Sequence, residues 1–213
     1  MGLEAFNPGR IWTWPELDEM TGKKPGLWTW MFKVSGELPQ HGYEVKFITE
    51  IDIVAFAQDA KAYIHTFFSK EGALAQIEHA DIEAEQHYAA RLAANTQDIH
   101  FENRQFTLQD IKNLISDGYM IVPQINPYKL DDEEGYAGHS ILIYAIEGED
   151  GIYHDSGLEG AQAAKRRPLA KFVEAALDNG KMEGLLAFRP KTTETQKPTP
   201  SPAPNTEHRT RKH

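Results

Sequence analysis

The chain has 213 residues, no cysteine and a formal net charge of −10, and 40% of its residues are apolar. This composition is typical of one globular domain, and it excludes disulfides and thiolate metal sites. The acidic surplus lies in residues 1–190, which hold 30 Asp and Glu against 17 Lys and Arg. Such a body repels nucleic-acid phosphates and anionic lipids, so we expect no nucleic-acid or membrane partner. The chain also lacks a signal-peptide pattern and any run of about 18 apolar residues, which favours a cytoplasmic location.

The first half of the chain is predicted to be mainly helical. A proline in the first turn marks a helix that begins at Trp14 and ends at Gly22. Further helices, indicated by apolar residues at helical spacing, are predicted over 27–40, 52–68 and 73–94. Alternating polar and apolar residues over 44–48 predict one half-buried strand between them. The simplest place for the cluster of four tryptophans is the core, and these are Trp12, Trp14, Trp28 and Trp30.

The second half of the chain is richer in strands. Thr107 and Asp110 have the spacing of a capping box, which opens a helix through residue 115. Strands are predicted over 119–126, 139–146, 152–155 and 184–189, and a last helix over 171–177. Helices first and an antiparallel sheet second indicate an α+β fold. Residues 191–213 are rich in Pro, Thr and basic residues and hold no large apolar side chain, so we expect a disordered tail after a domain of residues 1–190.

A histidine and an aspartate stand where two of these strands should meet. His139 begins one strand after a glycine-rich loop, and Asp155 ends the next strand. In a hairpin the start of one strand lies beside the end of the other, so the two side chains could form a hydrogen bond. A general base and the carboxylate that orients it need this geometry. The spacing alone favours a structural role over a catalytic one. In that case His139 is a histidine at the edge of a strand and Asp155 forms a turn.

Other polar residues are weaker candidates. His154 should point to the opposite face from Asp155 and is interpreted as structural. Gln124 and Asn126 share one face of their strand, where each could be an amide donor in a cleft or a satisfied buried amide. The acidic run at 131–134 lacks the alternating spacing of calcium ligands and is predicted to be a solvated loop. We therefore predict no metal and no cofactor.

Five stretches together resemble the stand-alone peptidase C39-like proteins, which are relatives of papain-like cysteine peptidases. They are the residues at 25–30, the helix at 110–115, Gly138 with His139, the segment at 154–158, and the closing residues 187–189. The likeness covers nearly all of residues 1–190. It implies a papain-like fold, with His139 as the catalytic base and Asp155 as the third member of a Cys–His–Asp site. Ser156 stands where the family usually has proline, which should not disturb the carboxylate.

The resemblance fails at the N-terminus, where the family carries its nucleophilic cysteine and an oxyanion-forming glutamine. Residues 1–10 resemble the last turns of the family's first core helix, so we expect the chain to be truncated inside that helix. Without a thiol the chain should be catalytically inactive. The first hypothesis is a peptidase whose full-length form hydrolyses a peptide or amide bond. The alternative is a non-catalytic pseudopeptidase that binds a peptide or protein, and a third is an unrelated structural or metal-binding domain.

Overall fold

The computed structural model of the chain describes residues 2–156 and 160–192. The predicted tail therefore lies almost wholly outside the described residues, and so do Met1 and part of the 154–158 motif. None of the helices in the described ranges combines the length and the apolar character needed to cross a membrane.

The described residues form ten α-helices, seven of them in the first half of the chain. They are α1 (Gly2–Phe6), α2 (Trp14–Thr21), α3 (Phe32–Glu37), α4 (Ile53–Gln58), α5 (Ala60–Phe67), α6 (Lys70–His79), α7 (Ile82–Ala94), α8 (Leu108–Ser116), α9 (Pro127–Leu130) and α10 (Leu169–Ala175). Short 3₁₀ helices occupy Leu38–His41 and Thr96–Asp98. The start of α2 is as predicted, because Thr13 and Glu16 form a capping box, and it ends at Gly22 with φ of 75°. The predicted capping box of Thr107 and Asp110 opens α8.

Three predicted helices are shorter than expected. The helix predicted over 52–68 breaks at Asp59, whose side chain caps α5 by accepting a hydrogen bond from the Ala62 amide. Asp81 divides the helix predicted over 73–94 in the same way. Aspartate competes for backbone amides in this manner and so favours helix starts over helix interiors. The helix predicted from residue 27 begins only at Phe32, because Trp28 is held in extended conformation by a parallel β-bridge to Ala80.

The described residues form nine β-strands, seven of them in the second half of the chain. They are β1 (Tyr43–Thr49), β2 (His100–Asn103), β3 (Met120–Ile125), β4 (His139–Glu147), β5 (Asp150–Asp155), β6 (Gln162–Pro168), β7 (Leu177–Asp178), β8 (Lys181–Met182) and β9 (Leu185–Pro190). One sheet has the order β2-β1-β9-β3-β4-β5-β6, and β7 pairs with β8 separately. The fold is therefore α+β, as predicted.

The predicted purely antiparallel sheet is wrong at one edge. Strand β2 pairs parallel with β1, with Lys46 opposite His100, whereas the other neighbours in the sheet are antiparallel. A parallel neighbour requires a long crossover connection, and here the helices α4 to α7 supply it. The sheet is therefore mixed.

Two apolar cores lie on opposite faces of this sheet. Ile121 and Ile143 belong to one core, under α8 and α10. Val122 and Leu142 face the other core, which contains the N-terminal helices. Helix α1 lies on this second face, because a Cβ at Gly2 would lie 3.1 Å from the ring of Phe188 and 3.2 Å from Leu142 Cδ2. The start of α1 thus packs against side chains of three neighbouring strands, β9, β3 and β4.

Candidate functional site

His139 and Asp155 form a hydrogen-bonded pair at the end of the β4–β5 hairpin. His139 is the first residue of β4 and Asp155 the last of β5. Asp155 lies opposite Ile141, two residues from His139, so both side chains project from the same face of the hairpin. His139 Nε2 lies 2.7 Å from Asp155 Oδ1, and their side chains are 12% and 14% exposed. The predicted contact is present.

Lys165 holds the other oxygen of the same carboxylate. Its Nζ lies 3.3 Å from Asp155 Oδ2, and it extends from β6. Burial lowers the pKa of Lys165, but the hydrogen bond to Asp155 and the nearby Tyr153, Asp155 and Asp131 together leave the pKa raised. Hydrogen bonds from His139 and Lys165 therefore fix the orientation of the Asp155 carboxylate. This contact was not predicted, because no pattern in the sequence indicated strand β6.

The hydrogen bond to Asp155 decides which nitrogen of His139 can act as a base. An ionised carboxylate only accepts hydrogen bonds, so Nε2–H must be the donor. The neutral ring then carries its lone pair on Nδ1. Among the described residues, Nδ1 of His139 has no hydrogen-bond partner. The arrangement therefore leaves one imidazole nitrogen able to accept a proton.

An open groove of about 530 Å³ runs beside this pair, with His139 in its wall. Most of its lining is apolar, and Leu3 of α1 contributes to it together with Val122 and Leu186 of the sheet. Trp14 and Trp30 also line the groove. The expectation that all four tryptophans lie in the core is wrong for Trp14, which is 79% exposed, because its helix presents this residue to solvent beside the groove.

A buried polar cluster lies in the groove wall next to His139. Gln76 Nε2 donates to Glu183 Oε1 and to the Tyr136 hydroxyl, each at 3.0 Å. A Cβ at Gly138, the residue before His139, would lie 3.3 Å from the same nitrogen. Burial raises the pKa of Glu183 to about 7 and also raises the pKa of Tyr136. Sequence inspection missed this cluster, since its members are far apart in the chain and form no motif.

The two candidate amides have different roles. Gln124 lines the groove, its Oε1 accepts from Ser140 Oγ at 3.0 Å, and its Nε2 has no partner among the described residues. Asn126 is satisfied structurally, because its Oδ1 caps α9 and its Nδ2 donates to the Gly135 carbonyl at 2.8 Å. Gln124 is therefore the amide available to a ligand.

The remaining predicted residues lie outside the groove. His154 Nδ1 accepts from the Ala164 amide at 3.2 Å, and its ring stacks on Tyr144 with centroids 4.5 Å apart, which fits the structural role predicted for it. In the acidic run, Asp131 pairs with Arg167 at 2.6 Å and Asp132 pairs with Lys171. In residues 2–156 and 160–192, no group of three or more His, Asp or Glu side chains is arranged to hold a metal ion.

The site thus combines a proton acceptor, an orienting carboxylate and a groove, while the sequence contains no thiol. Neither the models of known protein families nor the curated proteins give a match to this chain. The likeness to C39-like peptidases therefore stays a prediction from the quoted sequence motifs.

Proposed function

We propose that this chain carries the general base and the orienting carboxylate of a C39-like, papain-like hydrolase site, and that it binds a peptide in the groove beside them. His139 Nδ1 would accept the proton of a nucleophile, and Asp155 would hold the ring and stabilise the imidazolium that forms. The observation that supports this most strongly is the 2.7 Å bond from His139 Nε2 to Asp155 Oδ1 in the wall of the groove.

The nucleophile must come from outside the 213 residues, because these contain no cysteine. A segment before Gly2 is a candidate source, since Leu3 of α1 and His139 line the same groove. A longer form with a cysteine there would attack a peptide carbonyl, forming an acyl-thioester and releasing the amine with the proton held by His139. Water would then hydrolyse the thioester. The 213-residue chain itself is expected to bind peptides without cleaving them by this route.

The second candidate function is a binding module that performs no chemistry. The apolar lining of the groove and the exposed Trp14 beside it favour this function, because they offer contact area to a peptide whether or not a nucleophile is present.

Supplying a thiol tests the catalytic proposal. About seven residues, two helical turns, would be added before Met1, with one cysteine moved through each added position. The added cysteine is the only thiol in each variant, so its alkylation by iodoacetamide can be followed against pH. At one position we expect the thiol pKa to fall well below the usual value of about 8.5 and a fluorogenic peptide to be cleaved.

Two controls make this result specific. The same extension with alanine in place of cysteine should not cleave the peptide. His139→Ala should return the thiol to ordinary reactivity and abolish cleavage. If no position shows any dependence on His139, the catalytic proposal is wrong and the binding module remains.

A further inference from the structure

Glu183 is a carboxylate in the groove wall without a cationic partner. Its Oε1 is engaged by Gln76 Nε2 at 3.0 Å and by the Tyr136 hydroxyl at 3.3 Å. Its Oε2 makes no hydrogen bond to the described residues, and none of the described ion pairs includes Glu183. Glu183 is a partly exposed residue and lines the groove. An acceptor oxygen is therefore available to a bound molecule.

The neighbouring groups hold this carboxylate in a fixed orientation. Gln76 is 1% exposed, and its Oε1 accepts from the indole nitrogen of Trp30 at 3.0 Å. An indole N–H can only donate, so this bond fixes the amide with its NH₂ group toward Glu183 and Tyr136. Both protons of that group are then used, which leaves Gln76 unable to bind a ligand as well. The cluster thus presents one free oxygen of Glu183 on a rigid support.

We propose that the groove recognises a peptide through a lysine side chain whose ammonium group binds Glu183 Oε2. This inference rests on the proposed function in one respect, the binding of a peptide in the groove. An acidic group surrounded by apolar walls attracts a cation with an apolar stem, and the four-carbon chain of lysine can lie along such walls while its ammonium reaches the carboxylate.

The single free oxygen favours lysine over arginine. A guanidinium binds a carboxylate best through two parallel hydrogen bonds, which need both oxygens. Oε1 of Glu183 already accepts from Gln76 and Tyr136, so only a one-point contact remains. A compact ammonium ion satisfies that contact fully, whereas a guanidinium would leave part of its donors buried without partners.

Three short peptides test the proposal with the 213-residue chain. The probes are acetyl-leucyl-lysyl-leucinamide, its norleucyl analogue, which keeps the stem and lacks the ammonium, and its arginyl analogue. Binding is measured by calorimetry and by tryptophan fluorescence, because Trp28 and Trp30 line the groove. At pH 8, above the pKa of about 7 of Glu183, we expect the lysyl peptide to bind at least tenfold more tightly than the norleucyl peptide. The arginyl peptide should bind at least threefold more weakly than the lysyl peptide.

Two variants assign the preference to Glu183. In Glu183→Gln the lysyl and norleucyl peptides should bind within twofold of each other, and unchanged norleucyl affinity would show that the groove is intact. Glu149→Gln removes the same charge from a residue whose side chain is 81% exposed and does not line the groove, and it should keep the tenfold preference. This control separates local recognition from the general attraction of an acidic protein for cations.

The failures of the two proposals can be distinguished. Equal binding of all three peptides to the wild type would overturn the lysine proposal and leave the peptide-binding groove in place. A lysine preference that survives in Glu183→Gln, or arginyl binding as tight as lysyl binding, would also overturn it. Absence of binding by every peptide would overturn both proposals.

Discussion

Replacing Glu85 with glutamine should stabilise the protein at alkaline pH. Glu85 lies on α7, is 3% exposed, and accepts the Trp30 amide on Oε1 at 3.2 Å. Its Oε2 has no partner among the described residues. Burial, reinforced by the negative charge of Asp81, raises the pKa of Glu85 from 4.5 to about 7. The folded protein therefore resists ionising this carboxyl, whereas the unfolded chain does so freely.

The size of the effect follows from the pKa difference. The difference between a pKa of 4.5 and one of about 7 corresponds to about 3 kcal/mol, a large part of the 5–15 kcal/mol typical of a domain. Between pH 4.5 and 7 the unfolded chain binds fewer protons at this group than the folded protein, so the free energy of unfolding falls as pH rises. Glu183, with a pKa also raised to about 7, acts in the same direction. Glu85→Gln keeps the acceptor for Trp30 and removes only the contribution of Glu85.

Urea unfolding at pH 5 and pH 8 measures this difference. The free energy of unfolding of Glu85→Gln minus that of the wild type should rise by about 2.5 kcal/mol from pH 5 to pH 8. Glu83→Gln is the matched control, because it removes a charge from the same turn of α7 at an exposed position. For Glu83→Gln, the difference from the wild type in free energy of unfolding should change by less than about 0.5 kcal/mol between pH 5 and pH 8. If the wild type and Glu85→Gln show the same pH dependence, the burial argument is refuted.

Two further substitutions and one control test the packing of the fold. Asp110 binds Arg104 through both oxygens, which lowers its pKa to about 2, so Asp110→Asn should lower the free energy of unfolding by about 2 kcal/mol at pH 7. This loss should become progressively smaller as the pH falls below 4, and a loss that does not change with pH would contradict the argument. At Gly184, φ is 147° and a Cβ would lie 2.8 Å from the Ile48 carbonyl oxygen, so Gly184→Ala should cost more than about 2 kcal/mol. Gly148→Ala, at φ of 64° with no atom within 4 Å, should cost about 1 kcal/mol, and equal losses at both glycines would show that the clash is absent.

Local patterns were sufficient to predict much of the fold. The proline in the first turn of α2, its C-cap Gly22 and the capping box of α8 were recognisable in the sequence, as was the alternation of β1. The contact between His139 and Asp155 also followed from local information, because a hairpin brings its two ends together. Interactions within one element or one hairpin are encoded by neighbouring residues.

The features that escaped prediction depend on distant parts of the chain. Strand β2 joins the sheet beside β1 only after the helical crossover, and the four exposed or half-buried residues of β2 carry no strong apolar alternation. The cluster in the groove joins Gln76 to Glu183, 107 positions apart. Such contacts are created by packing, and no spacing rule identifies them in a single sequence.

The tautomer of His139 tests the proposed base most directly. Two-bond ¹H–¹⁵N correlation spectra of the 213-residue chain distinguish a protonated ring nitrogen from one with a free lone pair. At a pH where the ring is neutral, we expect the proton on Nε2, held by Asp155 Oδ1 at 2.7 Å, and an unprotonated Nδ1. Asp155→Asn should weaken that preference. A neutral ring with its proton on Nδ1 would contradict the proposal, because His139 would then have no lone pair on the nitrogen that must accept the proton of a nucleophile.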